Sequence, residues 1–190
     1  LTVAPGEFIT IVGHSGAGKT TLLASAVDLA PMQDVLVITA EGGEIVFEDN
    51  ARIKAYEGLD IIKVNRIEQF QKVYEFLKNH VSLRDDPAKE EALKKLQTMV
   101  FGEELDRIRR YRTVIIDSLS EIEAQCLAKI LNLDALGLDA GDDMEVANFP
   151  QFRKNKHIIL RAIRQFRDLD IHFLTTCAEG FSQRSEERRV

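Results

Sequence analysis

The sequence predicts a three-layer α/β domain with a mainly parallel sheet. Three observations support this prediction: five short apolar runs that do not alternate with polar residues, helical patterns between those runs, and a glycine-rich turn directly after the first run. Continuous apolar runs are typical of strands that helices cover on both faces. The alternation of strand and helix is typical of doubly wound domains.

The five strands are expected where runs rich in Val, Ile or Phe are bounded by turn residues. These runs are Phe8–Val12, Val35–Thr39, Ile61–Val64, Val114–Ile116 and Ile171–Thr175. One residue from each of four of these runs is assigned to the hydrophobic core: Val12, Ile38, Ile116 and Phe173.

Four helices are predicted between and after the strands. The first runs over residues 19–29 and ends before Pro31, and the second places its apolar residues on one face over 67–77. The third is expected to begin at the capping-box pattern that Ser120 opens and to end at Gly137. The fourth covers residues 154–169.

Two stretches depart from the alternation of strand and helix. Residues 81–112 are dense in charge and contain Glu–Lys pairs four residues apart, so we predict a helical insertion there. Residues 137–150 are predicted to form an acidic loop. We predict that residues 1–190 form one domain core, and because the sequence begins without Met and stops early we expect it to be a fragment that is truncated at its C-terminus.

Composition limits the possible function classes. The chain has 190 residues, 45% hydrophobic and 29% charged, which excludes a disordered tail, a fibre and a disulfide scaffold. A net charge of -6 disfavours general polyanion binding, so a nucleic-acid contact needs a local basic patch. No apolar run reaches the ~20 residues of a membrane span. Cys126 and Cys177 form no C-x-x-C pair, which favours free thiols in the cytoplasm.

A phosphate-binding loop is predicted between the first strand and the first helix. Residues 13–20 read Gly-His-Ser-Gly-Ala-Gly-Lys-Thr and fit G-x-x-x-x-G-K-[ST] at every fixed position. Its glycines let successive amides face inward around an anion, and the helix N-terminus adds positive charge. The residues expected to bind ATP are Gly13, Ser15, Gly16, Ala17, Gly18, Lys19, Thr20 and Thr21. An ordinary glycine-rich turn is the structural alternative.

Magnesium that accompanies the nucleotide needs a carboxylate at the end of a neighbouring strand. Asp117 follows the apolar run before it in the Walker B arrangement, and Thr20 supplies a hydroxyl from the loop. We therefore predict that Thr20 and Asp117 serve the metal. Ser118 is a candidate either for holding a metal-bound water or for capping the next helix.

Hydrolysis needs a group that orients the attacking water, and switching needs a polar residue near the γ-phosphate. Glu41 comes just after the second strand, at the sheet edge where the phosphate loop opens, and is predicted to be catalytic with Lys19 and Asp117. Glu44 is the competitor, further along the same loop. Thr176, at the end of the last strand, is predicted to sense the γ-phosphate.

These pieces resemble the RecA-type P-loop ATPases, and among them the phage-encoded proteins that assist single-strand annealing, often described as AAA-type ATP-binding proteins. The resemblance rests on residues 13–20, 40–43, 114–119 and 166–176. It implies that Glu41 is the catalytic glutamate and that Asp117 serves magnesium. It also implies a strand between the phosphate-loop strand and the Walker B strand. The family often has Gln at the switch position, where this chain has Thr176.

The resemblance also implies partners. RecA-like proteins form homo-oligomers with ATP at the subunit interfaces, completed by basic residues of a neighbour, and they bind DNA through loops in this half of the domain. The candidate region is 137–152, with the basic residues that follow it: Arg153, Lys154, Arg161 and Arg164. Without the resemblance, a solvated helix face is the favoured interpretation of these residues.

The predicted function is a Mg²⁺-dependent ATPase of phage origin that assists DNA recombination or single-strand annealing in the host cytoplasm. A small-molecule kinase is the main alternative, because the arginines of residues 107–112 resemble a lid. A nucleotide switch without turnover is a third class. A transporter-type ATPase is disfavoured, since Ser118 rather than Glu follows Asp117 and no LSGGQ-like segment is present.

Overall fold

A computed structural model describes residues 8–14, 16–40, 59–102, 107–132 and 148–178 of the chain. These residues form one five-stranded sheet in which every neighbouring pair is parallel. The strands are β1 (Phe8–Gly13), β2 (Val35–Thr39), β3 (Leu59–Lys63), β4 (Thr113–Asp117) and β5 (His172–Ala178). The predicted α/β class with a mainly parallel sheet is confirmed.

The strand order is β1-β5-β4-β2-β3. The strand β5 therefore lies between β1, which leads into the glycine-rich loop, and β4, which ends in Asp117. This is the intervening strand that the resemblance to RecA-type ATPases implies. All five carboxyl ends lie at one edge of the sheet, because parallel strands share their direction.

Five α-helices surround the sheet in the described residues. They are α1 (Lys19–Ala24), α2 (Ile67–Arg84), α3 (Glu90–Phe101), α4 (Leu119–Ile130) and α5 (Phe149–Arg167). Short 3-10 turns follow α1 at Ser25–Asp28 and Ala30–Met32 and precede α3 at Pro87–Lys89. Each of these helices is too short or too polar to cross a bilayer.

Two separate cores give the fold its three layers. On one face of the sheet, α1 and its 3-10 turns pack on Val35, Val37, Ile115 and Leu174. On the other face, α2, α4 and α5 pack on the alternate strand residues, among them Ile38, Ile116 and Phe173. Alternation along each strand thus decides which helical layer a side chain meets.

Val12 is a correction to the predicted core. Ile38, Ile116 and Phe173 are buried as expected, but the side chain of Val12 is 60% exposed. It alternates with Ile11, which packs on the α1 side, and β1 is the outermost strand of the described sheet. The helical layer on the other face centres on the inner strands, so it does not reach Val12.

Two helix starts differ from the prediction. Ser118 rather than Ser120 is the N-cap of α4, and the Ser120 hydroxyl accepts a hydrogen bond from the Ala178 amide of β5 instead of capping the helix. α4 ends at Ile130, short of the predicted Gly137, which lies outside the described residues. α5 begins at residue 149 because Asn148 and Gln151 cap it reciprocally.

The ends of α1 and α2 also differ from the prediction. The regular part of α1 stops at Ala24 and gives way to 3-10 turns, the second of which contains Pro31 near its start. α2 continues seven residues beyond the predicted end because His80 and Arg84 are buried on its inner face. The buried face of α2 thus continues through polar residues, which a search for apolar periodicity does not detect.

Candidate functional site

The glycine-rich loop joins β1 to α1 at the carboxyl edge of the sheet. Gly16 and Gly18 have φ angles of 79° and 78°, in the left-handed region that favours glycine. Between them the Ala17 amide donates to the His14 carbonyl at 3.2 Å, and Gly18 then occupies the N-cap of α1. The glycines therefore let the chain turn tightly from strand to helix. Ser15 lies outside the described residues.

Lys19 folds back over this loop. Its Nζ donates to the carbonyl oxygens of Gly13 and His14, both at 2.8 Å. Within the described ranges no carboxylate forms an ion pair with this ammonium group. Neutral carbonyl oxygens are weaker partners for a cation than an anion is, so an incoming anion has the advantage in a competition for Lys19.

Asp117 meets the loop from the end of β4. The Thr20 hydroxyl donates to Oδ2 of Asp117 at 2.6 Å, across 97 residues of sequence. The Thr176 hydroxyl donates to Oδ1 of the same carboxylate at 2.5 Å. Asp117 is only 4% exposed and lies on the α1 side of the sheet. Three predicted site residues are therefore in direct contact.

This donor set suits magnesium bound together with a nucleotide. A hydroxyl and a carboxylate are hard oxygen ligands of the kind that Mg²⁺ prefers. The described residues contain no cluster of three or more His, Cys, Asp or Glu side chains able to enclose a metal alone. Mg²⁺ is usually held by one or two protein groups, phosphate oxygens and water, and Thr20 with Asp117 fits that division.

Comparison with known proteins places the chain in a family. A family model described as an AAA domain matches residues 6–189. The chain belongs to this AAA domain family. It is accordingly a P-loop domain of ATPase type, and nucleotide binding is the activity that the family and the loop geometry share.

Among solved structures, the AAA domain is similar to Thermomonospora curvata EccC (ATPases 2 and 3) in complex with a signal sequence peptide. The identity is 10% and the TM-score 0.35, over 92% of this chain and 25% of that chain. The AAA domain thus spans about a quarter of the EccC chain. No curated protein matches the sequence.

Other predicted site residues of the AAA domain fall into two groups. Thr21 is exposed on α1, and Ser118 is buried at the N-cap position of α4 without a side-chain capping bond. Glu41 and Glu44 lie outside the described residues. The last described residue before Glu41 is Ala40, whose amide donates to the Asp117 carbonyl at 2.9 Å.

The arginines that resembled a kinase lid lie at the opposite edge of the sheet. They precede β4, whereas the glycine-rich loop follows β1, so the length of the strands separates them. All four form ion pairs with carboxylates there: Arg107 with Asp34, Arg109 with Asp60, Arg110 with Glu90, and Arg112 with Asp85. They are part of the structural scaffold of the AAA domain.

The contact between Thr176 and Asp117 was missed by sequence reasoning. The sequence placed both at strand ends, and the resemblance implied a strand between β1 and β4, but neither identified β5 as that strand. The available signal was weak: a threonine pair at the end of the last apolar run. A hydroxyl beside a buried carboxylate becomes predictable only when the pairing of the two strands is known.

Proposed function

We propose that this AAA domain is a Mg²⁺-dependent ATPase of RecA type that assists DNA recombination or single-strand annealing, in a phage context. The observation that supports it best is the 2.6 Å hydrogen bond between Thr20 and Asp117, beside Lys19 on a glycine-rich loop. This pairs the two oxygen ligands expected for magnesium with a cation suited to the phosphates.

In the proposed mechanism the loop amides of residues 13–20 and Lys19 hold the phosphates of ATP. Thr20 and Asp117 face the magnesium ion, which neutralises charge on the phosphate oxygens when bound. Glu41 orients the attacking water and accepts its proton. The position of Ala40 supports this role, because Ala40 directly precedes Glu41 in the chain and its amide donates a hydrogen bond to the Asp117 carbonyl. Loop amides and Lys19 stabilise the charge of the transition state.

The proposed DNA surface is the outer face of α5. This helix contains six Lys or Arg residues and no Asp or Glu, in a chain of net charge -6. Arg153, Lys154, Arg161 and Arg164 are all exposed and fall within an arc of roughly 100° of an ideal helix. None of the four forms an ion pair with another described residue. Such a face suits the phosphates of a nucleic acid.

Exposed aromatic residues extend this surface toward the nucleotide site. Phe149 and Phe152 are 80% and 52% exposed at the N-terminus of α5. The C-terminus of α5 lies just before the start of β5, at the amino edge of the sheet. The N-terminus of α5 therefore lies toward the carboxyl edge, where the glycine-rich loop opens. Aromatic rings beside basic groups favour single-stranded DNA, whose bases stack on them. The rest of the predicted loop, 137–147, lies outside the described residues.

The proposal includes a homo-oligomer with ATP at the subunit interfaces. Support comes from two apolar side chains that flank the glycine-rich loop, Val12 and Leu22, which are 60% and 59% exposed. A second subunit that covers the loop would also remove this apolar surface from water. We also propose a cytoplasmic location, which the free thiols of Cys126 and Cys177 support.

The deciding experiment measures ATP hydrolysis with and without single-stranded DNA, over a range of salt concentrations. We expect DNA to stimulate hydrolysis and to bind more weakly as salt rises. The double variant Arg161→Glu and Arg164→Glu should lose the stimulation, whereas the control Lys78→Glu, an exposed lysine on α2, should keep it.

The other outcomes separate the alternatives. Stimulation by a small hydroxylated metabolite instead of DNA would favour a kinase, although the arginines that suggested a lid are engaged elsewhere. Tight ATP binding with negligible turnover under all conditions would favour a nucleotide switch. Basal hydrolysis that DNA does not change would exclude the recombination role and leave the ATPase.

A further inference from the structure

Two threonines from different elements hold the carboxylate of Asp117. Thr20, on the first turn of α1, bonds Oδ2, and Thr176, on β5, bonds Oδ1. Their environments differ. Thr20 is half-buried beside the loop, whereas Thr176 is 0% exposed in the middle of the sheet. Thr176 therefore touches the carboxylate from the protein interior.

Strand register explains why Thr176 and not its neighbour makes this contact. Thr175 lies opposite Ile116, so Thr176 comes next to Asp117 on the same face of the sheet. The Thr175 side chain points to the other face, where its hydroxyl donates to the Ile116 carbonyl at 3.0 Å. Two adjacent buried threonines thus have hydroxyls with different partners.

We propose that Thr176 is a positioning residue that orients the Asp117 carboxylate toward the magnesium ion of the bound nucleotide. This inference rests on the proposed function, and it replaces direct sensing of the γ-phosphate as the role of Thr176. The hydroxyl donates its only hydrogen to Oδ1 of Asp117 and has no exposed surface. Its influence on the nucleotide therefore passes through Asp117.

The physical reason is that a buried carboxylate is unstable unless hydrogen-bond donors stabilise its charge, and that it binds a metal less well when it is free to rotate. Asp117 is 4% exposed, so solvent does little to stabilise its charge. A hydroxyl on each oxygen stabilises that charge and fixes the plane of the carboxylate. Groups that orient a metal ligand in this way typically contribute about 10- to 100-fold to metal affinity.

The experiment measures binding of a non-hydrolysable ATP analogue by calorimetry, first in EDTA and then over a series of Mg²⁺ concentrations. For Thr176→Val we expect unchanged affinity in EDTA. The Mg²⁺ concentration that half-maximally tightens binding should rise by about 10- to 100-fold. Thr176→Ser keeps the hydroxyl and should restore the wild-type value. Thr175→Val is the matched control and should leave the Mg²⁺ dependence unchanged.

Each result decides something. Equal Mg²⁺ dependence in wild type and Thr176→Val would overturn the positioning role, and so would an equal shift in Thr175→Val. Weaker binding of Thr176→Val in EDTA would return Thr176 to direct nucleotide contact. If circular dichroism shows that Thr176→Val is unfolded, Thr176→Ala takes its place. Failure of the wild type to bind the analogue at all would instead refute the proposed function, and this inference with it.

Discussion

The two edges of the sheet hold their charged residues in opposite ways. At the amino edge, arginines pair with aspartates: Arg84 with Asp170 at 2.9 Å, Arg107 with Asp34 at 2.5 Å, Arg109 with Asp60 at 2.8 Å and Arg112 with Asp85 at 2.6 Å. At the carboxyl edge, Lys19 has only carbonyl partners, and Asp117 has only hydroxyl donors among its side-chain partners within the described residues.

This difference distinguishes charged residues that stabilise the fold, at the amino edge, from charged residues that are available to a ligand, at the carboxyl edge. At the amino edge each of these four arginines is paired with an anion of the protein itself, so its charge is balanced within the described residues. At the carboxyl edge a cation and an anion lie near each other without forming an ion pair, which leaves both able to bind groups of opposite charge. The carboxyl ends of the strands thus bring the glycine-rich loop and Asp117 together in a candidate binding site. The amino ends are instead joined by ion pairs that stabilise the fold.

The largest expected effect is on turnover, at the carboxyl edge. Replacing Lys19 by Ala removes the cation that offsets the transition-state charge, and we expect ATP hydrolysis to fall by about 100- to 1000-fold. The matched control is Lys78→Ala, which removes an exposed lysine from α2. Steady-state ATPase assays check this, and wild-type turnover in Lys19→Ala would show that the carboxyl edge is not the site.

Acid stability tests the amino edge. Burial and the Arg84 guanidinium lower the pKa of His80 to about 4 from the ordinary value of 6.5. Between pH 6.5 and 4, His80 is therefore protonated in the unfolded chain but neutral in the folded chain. The free energy of unfolding falls as the pH drops through this range. The loss attributable to His80 is on the order of 3 kcal/mol.

Denaturant unfolding of wild type and His80→Phe at several pH values measures this effect. His80 contacts Phe76 and Tyr111 by its ring, and both ring nitrogens lack hydrogen-bond partners in the described structure, so an aromatic replacement suits the site. The variant should lose less stability than wild type between pH 6.5 and 4. An identical pH dependence of the two proteins would mean that His80 is not the group that titrates.

A smaller effect is expected from Arg84→Leu. Arg84 is 1% exposed and donates to the carbonyl oxygens of Tyr111 and Asp170, which the variant leaves without this donor. We expect a loss of about 2 kcal/mol. Calorimetry should show a fall in Tm of about 4–8 °C with unchanged nucleotide affinity. The exposed pair of Arg112 with Asp85 is the control, because Arg112→Leu should cost under about 1 kcal/mol.

The smallest effect compares two glycines with nearly equal φ angles. Gly18 in the loop and Gly102 after α3 have φ of 78° and 75°, and a Cβ at either would meet nothing within 4 Å. Backbone strain alone should therefore cost each Ala variant about 1 kcal/mol of stability. Only Gly18→Ala should also weaken ATP binding. Equal ATP affinity in both variants would remove Gly18 from the proposed site.

The ion pairs at the amino edge could have been predicted in part from the sequence. Asp34 directly precedes β2, Asp60 is the second residue of β3 and Asp170 comes two residues before β5. Since parallel strands begin at one edge, the sequence predicts that these carboxylates and the arginines of residues 107–112 share the amino edge, and the strand order then brings them into contact. The lid interpretation took the arginines alone and overlooked the aspartates that neutralise them.

The sequence by itself determined the features that short stretches encode: the apolar strand runs, the glycine-rich loop and the position of Asp117 at a strand end. Their causes are local, since periodicity and left-handed glycines involve neighbours in the chain. Only the tertiary structure decided the strand order, the exposure of Val12 and the burial of His80 and Arg84. It also joined Asp117 to Thr176 across 59 residues. Such contacts depend on which distant segments pack together, and no local pattern specifies that.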